Sequence, residues 1–187
     1  MDKNKNFQTI IMGVLAAALL VMAVGYAAVF NETLTINGTA TAKAAKWDIH
    51  FDDTSYSETS GTGYVASTSH SLTGTTLTYA VTLEPEQVFE ATATVVNAGT
   101  FNANLTGITL SGLSSDQAKY IKYSIFYNGT EYTASASNLS IALAKTTGTA
   151  TVKVRVEYYL PDNATDLPTS GDVELTLTGA LNYTQAA

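Results

Sequence analysis

Cysteine is absent from this 187-residue chain. That excludes a disulfide framework, Cys-bound zinc, thiol catalysis and iron–sulfur chemistry. It does not argue against export. Histidine occurs twice, at His50 and His70, so a triad or metal site would need both at long range. No His-Glu-x-x-His, Gly-rich phosphate loop or Gly-x-Ser-x-Gly is present, and no enzymatic role, catalytic residue, cofactor or metal is expected. Basic residues are few: nine against sixteen acids, for a net charge of −7. Two of the nine, Lys3 and Lys5, lie in the first few residues. Nucleic acid is therefore not an expected partner, because affinity there rests on neutralising phosphates. Charged residues make up only 13% of the chain, about half the usual share. Thr, Ser and Asn take their place on the outer faces of strands, as in extracellular β-proteins.

What is present begins with a leader. Lys3 and Lys5 form a basic region, Ile10 to Val24 is an apolar run, and small residues follow at Gly25, Ala27 and Ala28. This is the layout of a secretory signal peptide over residues 1–27, with cleavage after Ala27 and before Ala28. The rival is an uncleaved anchor, since apolar character continues to Phe30 and reaches roughly the 20 residues that span a bilayer. On either reading the rest of the chain, 28–187, lies outside the cytoplasmic membrane. The membrane is then met only through the leader, and the signal peptidase only during export.

The remainder alternates with the period of two that a half-buried strand requires. Leu34 and Ile36 alternate with Thr33, Thr35 and Asn37 close to the expected new N-terminus. Residues 28–42 thus read as an ordinary first strand or as a strand given to a neighbour's open edge, with Phe30, Leu34 and Ile36 as its apolar residues. Trp47, Ile49 and Phe51 share one face of the next strand, with Trp47 expected as a core anchor. Asp48, His50, Asp52 and Asp53 read as a solvated face rather than a metal site. Leu77 to Leu83 alternates cleanly and stops at Glu84-Pro85-Glu86. Phe89 to Val95 follows, then a turn at Asn97-Ala98-Gly99-Thr100.

Between Leu105 and Ile108 the inward parity slips at Gly107, which predicts a β-bulge. Ser114 or Ser115 is placed to cap one or two helical turns through Lys119. Asn128-Gly129 between β-rich runs predicts a tight hairpin. Thr149 to Tyr159 reads as a strand with Ala150, Val152, Val154, Val156 and Tyr158 inward, and Val173 to Tyr183 as the last strand. The pattern is that of an all-β antiparallel β-sandwich preceded by a hydrophobic signal helix.

Other motifs are weaker. Leu167-Pro168-Thr169-Ser170-Gly171 resembles a sortase signal but lacks the apolar tail and basic residues that must follow. Seven Asn-x-Ser/Thr sites, Asn182 among them, are acceptors only under a glycosylating exporter. A Lys–Asn crosslink would pair Lys43 or Lys46 with Asn182.

Three stretches taken together resemble the camelysin/TasA-like family of exported proteins from Gram-positive bacteria. The leader ending Met22-Ala23-Val24-Gly25-Tyr26-Ala27-Ala28-Val29-Phe30 looks like those processed by SipW-type signal peptidases. Phe30 to Thr41 is similar to the segment that follows such leaders. Leu83-Glu84-Pro85-Glu86, together with Val95-Val96-Asn97-Ala98-Gly99-Thr100-Phe101-Asn102-Ala103-Asn104-Leu105, is similar to the family's Leu-x-Pro-Gly … Val-x-Asn-x-Gly-Thr-x-x-Ala-x-Leu pattern. Glu86 stands where Gly is usual. The resemblance implies a jelly-roll-like sandwich that self-assembles into fibres of a biofilm matrix, an N-terminal strand of one subunit completing the sheet of the next. The metalloprotease label of camelysin is not transferred, because no zinc motif is present. The alternative from the residues alone is a monomeric or membrane-tethered surface module, adhesin-like, with Tyr56, Tyr64 and Tyr159 as stacking platforms.

Overall fold

The computed structural model describes residues 11–19, 43–160, 167–168, 173 and 175–186. The chain divides into two compact units, Met1–Ala44 and Ala45–Ala187. In the first, residues 11–19 are helical. No described helix is long and apolar enough to cross a membrane. The cleavage residues Ala27 and Ala28 and the assembly residues Phe30, Leu34 and Ile36 lie outside the described residues.

The second unit is all-β. Its strands are β1 (Ile49–Phe51), β2 (Ser57–Glu58), β3 (Ser69–Thr73), β4 (Thr76–Ala80), β5 (Val88–Asn97), β6 (Ala103–Ser111), β7 (Ile121–Tyr127), β8 (Thr130–Tyr132), β9 (Ala136–Leu143), β10 (Gly148–Tyr158) and β11 (Thr178–Gln185). All strand pairs are antiparallel. A large sheet runs β1-β5-β10-β7-β8, with β2 also on β5; a smaller sheet runs β11-β6-β9; β3 and β4 form a separate hairpin.

The large sheet forms because β5 and β10 present matched apolar faces. They zip from Asn97↔Gly148 to Val88↔Glu157. Phe89, Ala91, Val95, Ala150, Val152, Val154 and Val156 on their inner faces join Tyr123, Ile125 and Tyr127 of β7 in one buried cluster. Ala103, Leu105, Ile108 and Leu143 of the smaller sheet complete that cluster, so the two inner faces pack together in a sandwich-like arrangement. Each fully buried Val, Leu, Ile or Phe among them contributes ~1.5–3 kcal/mol relative to exposure.

Two local expectations reappear as geometry. Leu105 and Ile108 are both 0% exposed, and register shifts occur beside Gly107 against β9 and between Asn182 and Tyr183 of β11. The bulge lets both side chains face inward despite their odd spacing. Asn128 and Gly129 have φ of 47° and 84°, as a two-residue hairpin turn requires. The helical stretch after Leu113 is only a 3₁₀ turn, Gln117–Lys119. Ser114 Oγ accepts the Gln117 N–H at 3.2 Å, and Gln117 Oε1 accepts the Ser114 N–H at 2.9 Å.

Two expectations are corrected. Trp47 is 46% exposed rather than a core anchor. Pairing with β5 starts at Ile49↔Asn97, where β5 ends, so Trp47 lies beyond the sheet. The last strand begins at Thr178, not Val173, because its partner β6 ends at Ser111 opposite Thr178.

The slab has two ends. At the near end lie Lys46, whose carbonyl accepts the Thr100 N–H, the turn after Asn97, the β9–β10 turn and Ala186, which donates to the Asn102 carbonyl. At the far end lie Glu84–Gln87, with the Glu86 N–H bonded to the Tyr158 carbonyl, and Tyr120, whose carbonyl accepts the Tyr159 N–H.

A candidate strand-acceptor groove

A groove of about 1000 Å³ opens between β4 with its continuation and the segment leading into β11. One wall is Leu77 to Pro85. The other is Val173, Leu175, Thr176 and Leu177. The floor is the far-end part of the large sheet: Tyr120, Ile121, Val156 and Tyr158.

The walls follow from the sequence. Leu77, Tyr79, Val81 and Leu83 pack against the core while Thr78, Ala80 and Thr82 are exposed. The β3–β4 ladder stops at Ala80↔Ser69, so Val81 to Leu83 continues the alternation with no strand beside it among the described residues. The other long edge of β4 has no strand partner among the described residues. Opposite, Gly112 has φ 109° and lies so close to the Thr176 carbonyl that no side chain would fit; this contact seats the second wall. Two apolar strand-like walls thus flank a gap one layer above the large sheet.

The phenols in and beneath the groove are neutral. Burial pushes the Tyr120 phenol up. It does the same to Tyr79, and it carries Tyr123 up to about 12, so these phenols keep their protons at physiological pH. Tyr79 packs against Phe89, ring centroids 4.9 Å apart and planes tilted by 30°. Its hydroxyl interacts electrostatically with Tyr123 but completes no well-formed hydrogen bond. Among the described residues no set of ionisable groups converges in the groove. It offers unpaired main chain and alternate apolar side chains, which together fit an extended peptide segment.

The hairpin carrying the first wall is fastened at two points. At its tip, Gly74 accepts the Phe51 N–H at 2.7 Å and donates to Asp53 Oδ1 at 3.2 Å. At its base, Glu58 Oε1 accepts the hydroxyls of Tyr56 and Ser67, both at 2.5 Å, and Oε2 accepts the Ser67 N–H at 3.0 Å. Burial pushes the Glu58 carboxyl up, but these bonds outweigh it and hold it below its ordinary range. His70 Nδ1 lies 3.3 Å from Ser67 Oγ and 3.7 Å from Glu58 Oε1. Serine and carboxylate therefore face the same ring nitrogen. A relay needs them on opposite nitrogens, so this trio is a fastening.

The remaining sequence candidates have partners of their own. Asp48 bonds Lys46 and His50 at 2.5 and 2.7 Å, and Asp52 bonds Thr54. No three potential metal ligands cluster among the described residues. Asn182 Nδ2 donates to Thr109 Oγ1 at 3.3 Å, so Lys46 and Asn182 are occupied separately. Tyr159 lies under Lys122 Nζ at 4.3 Å and donates to the Ala118 carbonyl, and Tyr56 is stacked on His70 at 4.0 Å. Those rings are thus already engaged. A second hollow of about 280 Å³, beside the bulge at Gly107, is lined by Thr106, Thr109, Ser135, Ser137 and Asn182.

The sequence marks Tyr158 as inward-facing but does not mark Tyr120, nor that Leu83 and Leu175 line one groove. The signal was present in apolar alternation that outruns its ladder partners at Val81–Leu83 and Val173–Leu177. Compared with known proteins, the chain matches no family model, no curated protein and no solved structure.

Proposed function

We propose that the chain is an exported structural subunit that polymerises by strand complementation: residues 28–42 of one copy, through Phe30, Leu34 and Ile36, occupy the groove of the next. The single observation that carries this is the gap between Leu77–Leu83 and Val173–Leu177, floored by Ile121 and Val156. A strand laid there would add main-chain bonds along β4 and bury its apolar face, which the alternation at Leu34 and Ile36 supplies. The contact is heterologous and does not close, so repetition gives a filament.

The finer readings go with it. Residues 1–27 serve as a signal peptide removed by a signal peptidase. The filled sandwich is jelly-roll-like, and the polymer lies at the cell surface or in an extracellular matrix, as the resemblance to the camelysin/TasA-like family implies. Deleting Asn31–Ala42 is expected to leave a soluble monomer. Filaments formed by that deletion in negative-stain micrographs would end the proposal.

A further inference from the structure

We propose that the outer face of the smaller sheet binds neutral carbohydrate, the hollow beside Gly107 seating one pyranose ring. The hollow holds about 280 Å³. It shares no residue with the groove, so this reading goes beyond strand complementation and does not rest on it. The hollow exists because two strands part. Leu105 pairs with Ile141 and Gly107 with Ser137, and between them β9 has Asn138, Leu139 and Ser140 where β6 has Thr106 alone. Asn138 takes φ 57° within that detour. Gly107 leaves the base of the hollow without a side chain. A β-carbon there would come within 3.1 Å of the Ala136 carbonyl oxygen and 3.5 Å of Asn182 Nδ2.

Charge decides the class of ligand. No residue of β6, β9 or β11 is charged. The large sheet, by contrast, carries Glu90, Lys122, Lys153, Arg155 and Glu157, tied to one another in ion pairs. A phosphate or carboxylate would find no counter-charge in the hollow, and an apolar ligand would strip water from its hydroxyls without replacing it. What the hollow offers is neutral groups that give and take hydrogen bonds. Thr106 spends its proton on the Asn182 carbonyl at 3.1 Å and keeps lone pairs to accept with. Thr109 Oγ1 accepts from Asn182 Nδ2 at 3.3 Å and keeps its proton to give. Ser137 Oγ and Asn182 Oδ1 have no partner among the described residues. Sugar hydroxyls, which also donate and accept at one atom, match such a mixed set.

Size sets the rest. Pockets for drug-sized ligands hold roughly 300–1,000 Å³, so a hollow just below that range takes a single ring. No aromatic side chain is among the described residues that line it. Stacking therefore adds nothing, and one ring is held only at millimolar strength. The rows on either side continue the same chemistry. Across β11 and β6, Thr178 stands beside Ser111 and Thr184 beside Asn104, on the face that Asn182 and Thr109 share. A polysaccharide crossing the sheet meets neutral polar groups before and after the hollow, so several linked rings bind more tightly than one.

Backbone-amide NMR on the chain purified in the form its host produces, in solution or in the solid state if it is filamentous, tests this. The probes are the methyl glycosides of glucose and N-acetylglucosamine, a neutral glucose oligosaccharide, and glucuronate. The neutral glycosides are expected to shift the amides of Thr106 to Thr109, Ser135 to Ser137 and Asn182, and the oligosaccharide to saturate them at lower concentration. Glucuronate is expected to bind more weakly. Thr109→Val together with Ser137→Ala is expected to weaken binding about tenfold and to keep the thermal midpoint, since both side chains are exposed. Deleting Asn31–Ala42 is expected to leave the sugar response unchanged, whatever it does to assembly. Shifts confined to Leu77–Leu83, glucuronate bound as tightly as the neutral sugars, a double variant that binds as well as the parent, or no response at tens of millimolar would each overturn the proposal and leave strand complementation standing.

Discussion

The closed and open halves of the β-unit are written in the same alphabet. β5 alternates Phe89, Ala91, Ala93 and Val95 with polar residues, and all four are at most 2% exposed. The Leu77–Leu83 wall alternates as regularly, yet its apolar residues are only half-buried. The difference is in neighbours: β5 has β10 along its full length on one side and β1 and β2 on the other, whereas the wall has β3 beside its first part and a gap beyond. Alternation tells a strand which way to face. It does not say which strand will lie next to it, or whether that strand belongs to the same molecule.

The contrast is broken most severely in the closed half. Leu105→Ala, at 0% exposure, is expected to cost ~2–5 kcal/mol in denaturant unfolding. Leu83→Ala in the wall is expected to cost the free subunit under about 1.5 kcal/mol, since it is already partly exposed, while reducing filament yield far more. Equal losses of stability from the two would show that the wall is closed in the free subunit.

An intermediate effect is expected at the hairpin's fastening. Hydrogen bonds hold the Glu58 carboxyl below its ordinary range, so its contribution is present above the ordinary carboxylate range and is lost as pH falls through the folded value. Glu58→Gln is expected to lower stability at neutral pH and to flatten its decline in acid, read as denaturation midpoint against pH. The smallest effect is expected at the wall's far end, where Glu86 holds φ 69°. A β-carbon there is strained and glycine is not, so Glu86→Gly is expected to stabilise by under ~1 kcal/mol, seen as a small rise in thermal midpoint.

Much of the closed half was legible in the residues. The slip from Leu105 to Ile108 announced the bulge, Asn128-Gly129 announced the hairpin, and the two faces of β10 fell as the alternation of Val152, Val154 and Val156 required. These are local facts, decided by backbone sterics and by period. Trp47 misled because its alternation with Ile49 and Phe51 is genuine, while the sheet ends one rung too soon to cover it. The groove was hidden for a related reason. Leu83 and Leu175 are distant in sequence, and the space between them depends on how many strands the second layer contains.

One last feature concerns what such a molecule avoids. The outer border of β5 is covered in pieces: β1, then a turn in which Ser55 Oγ receives the Thr94 N–H at 2.8 Å, then β2, then the lone bridge at Tyr64. On the smaller sheet, β9 is kinked by Asn138 at φ 57°. Neither border offers a straight run of free amides and carbonyls for a stranger to zip onto. The straight border that remains among the described residues is the outer edge of β11, eight residues from Thr178 to Gln185 with a strand on one side alone.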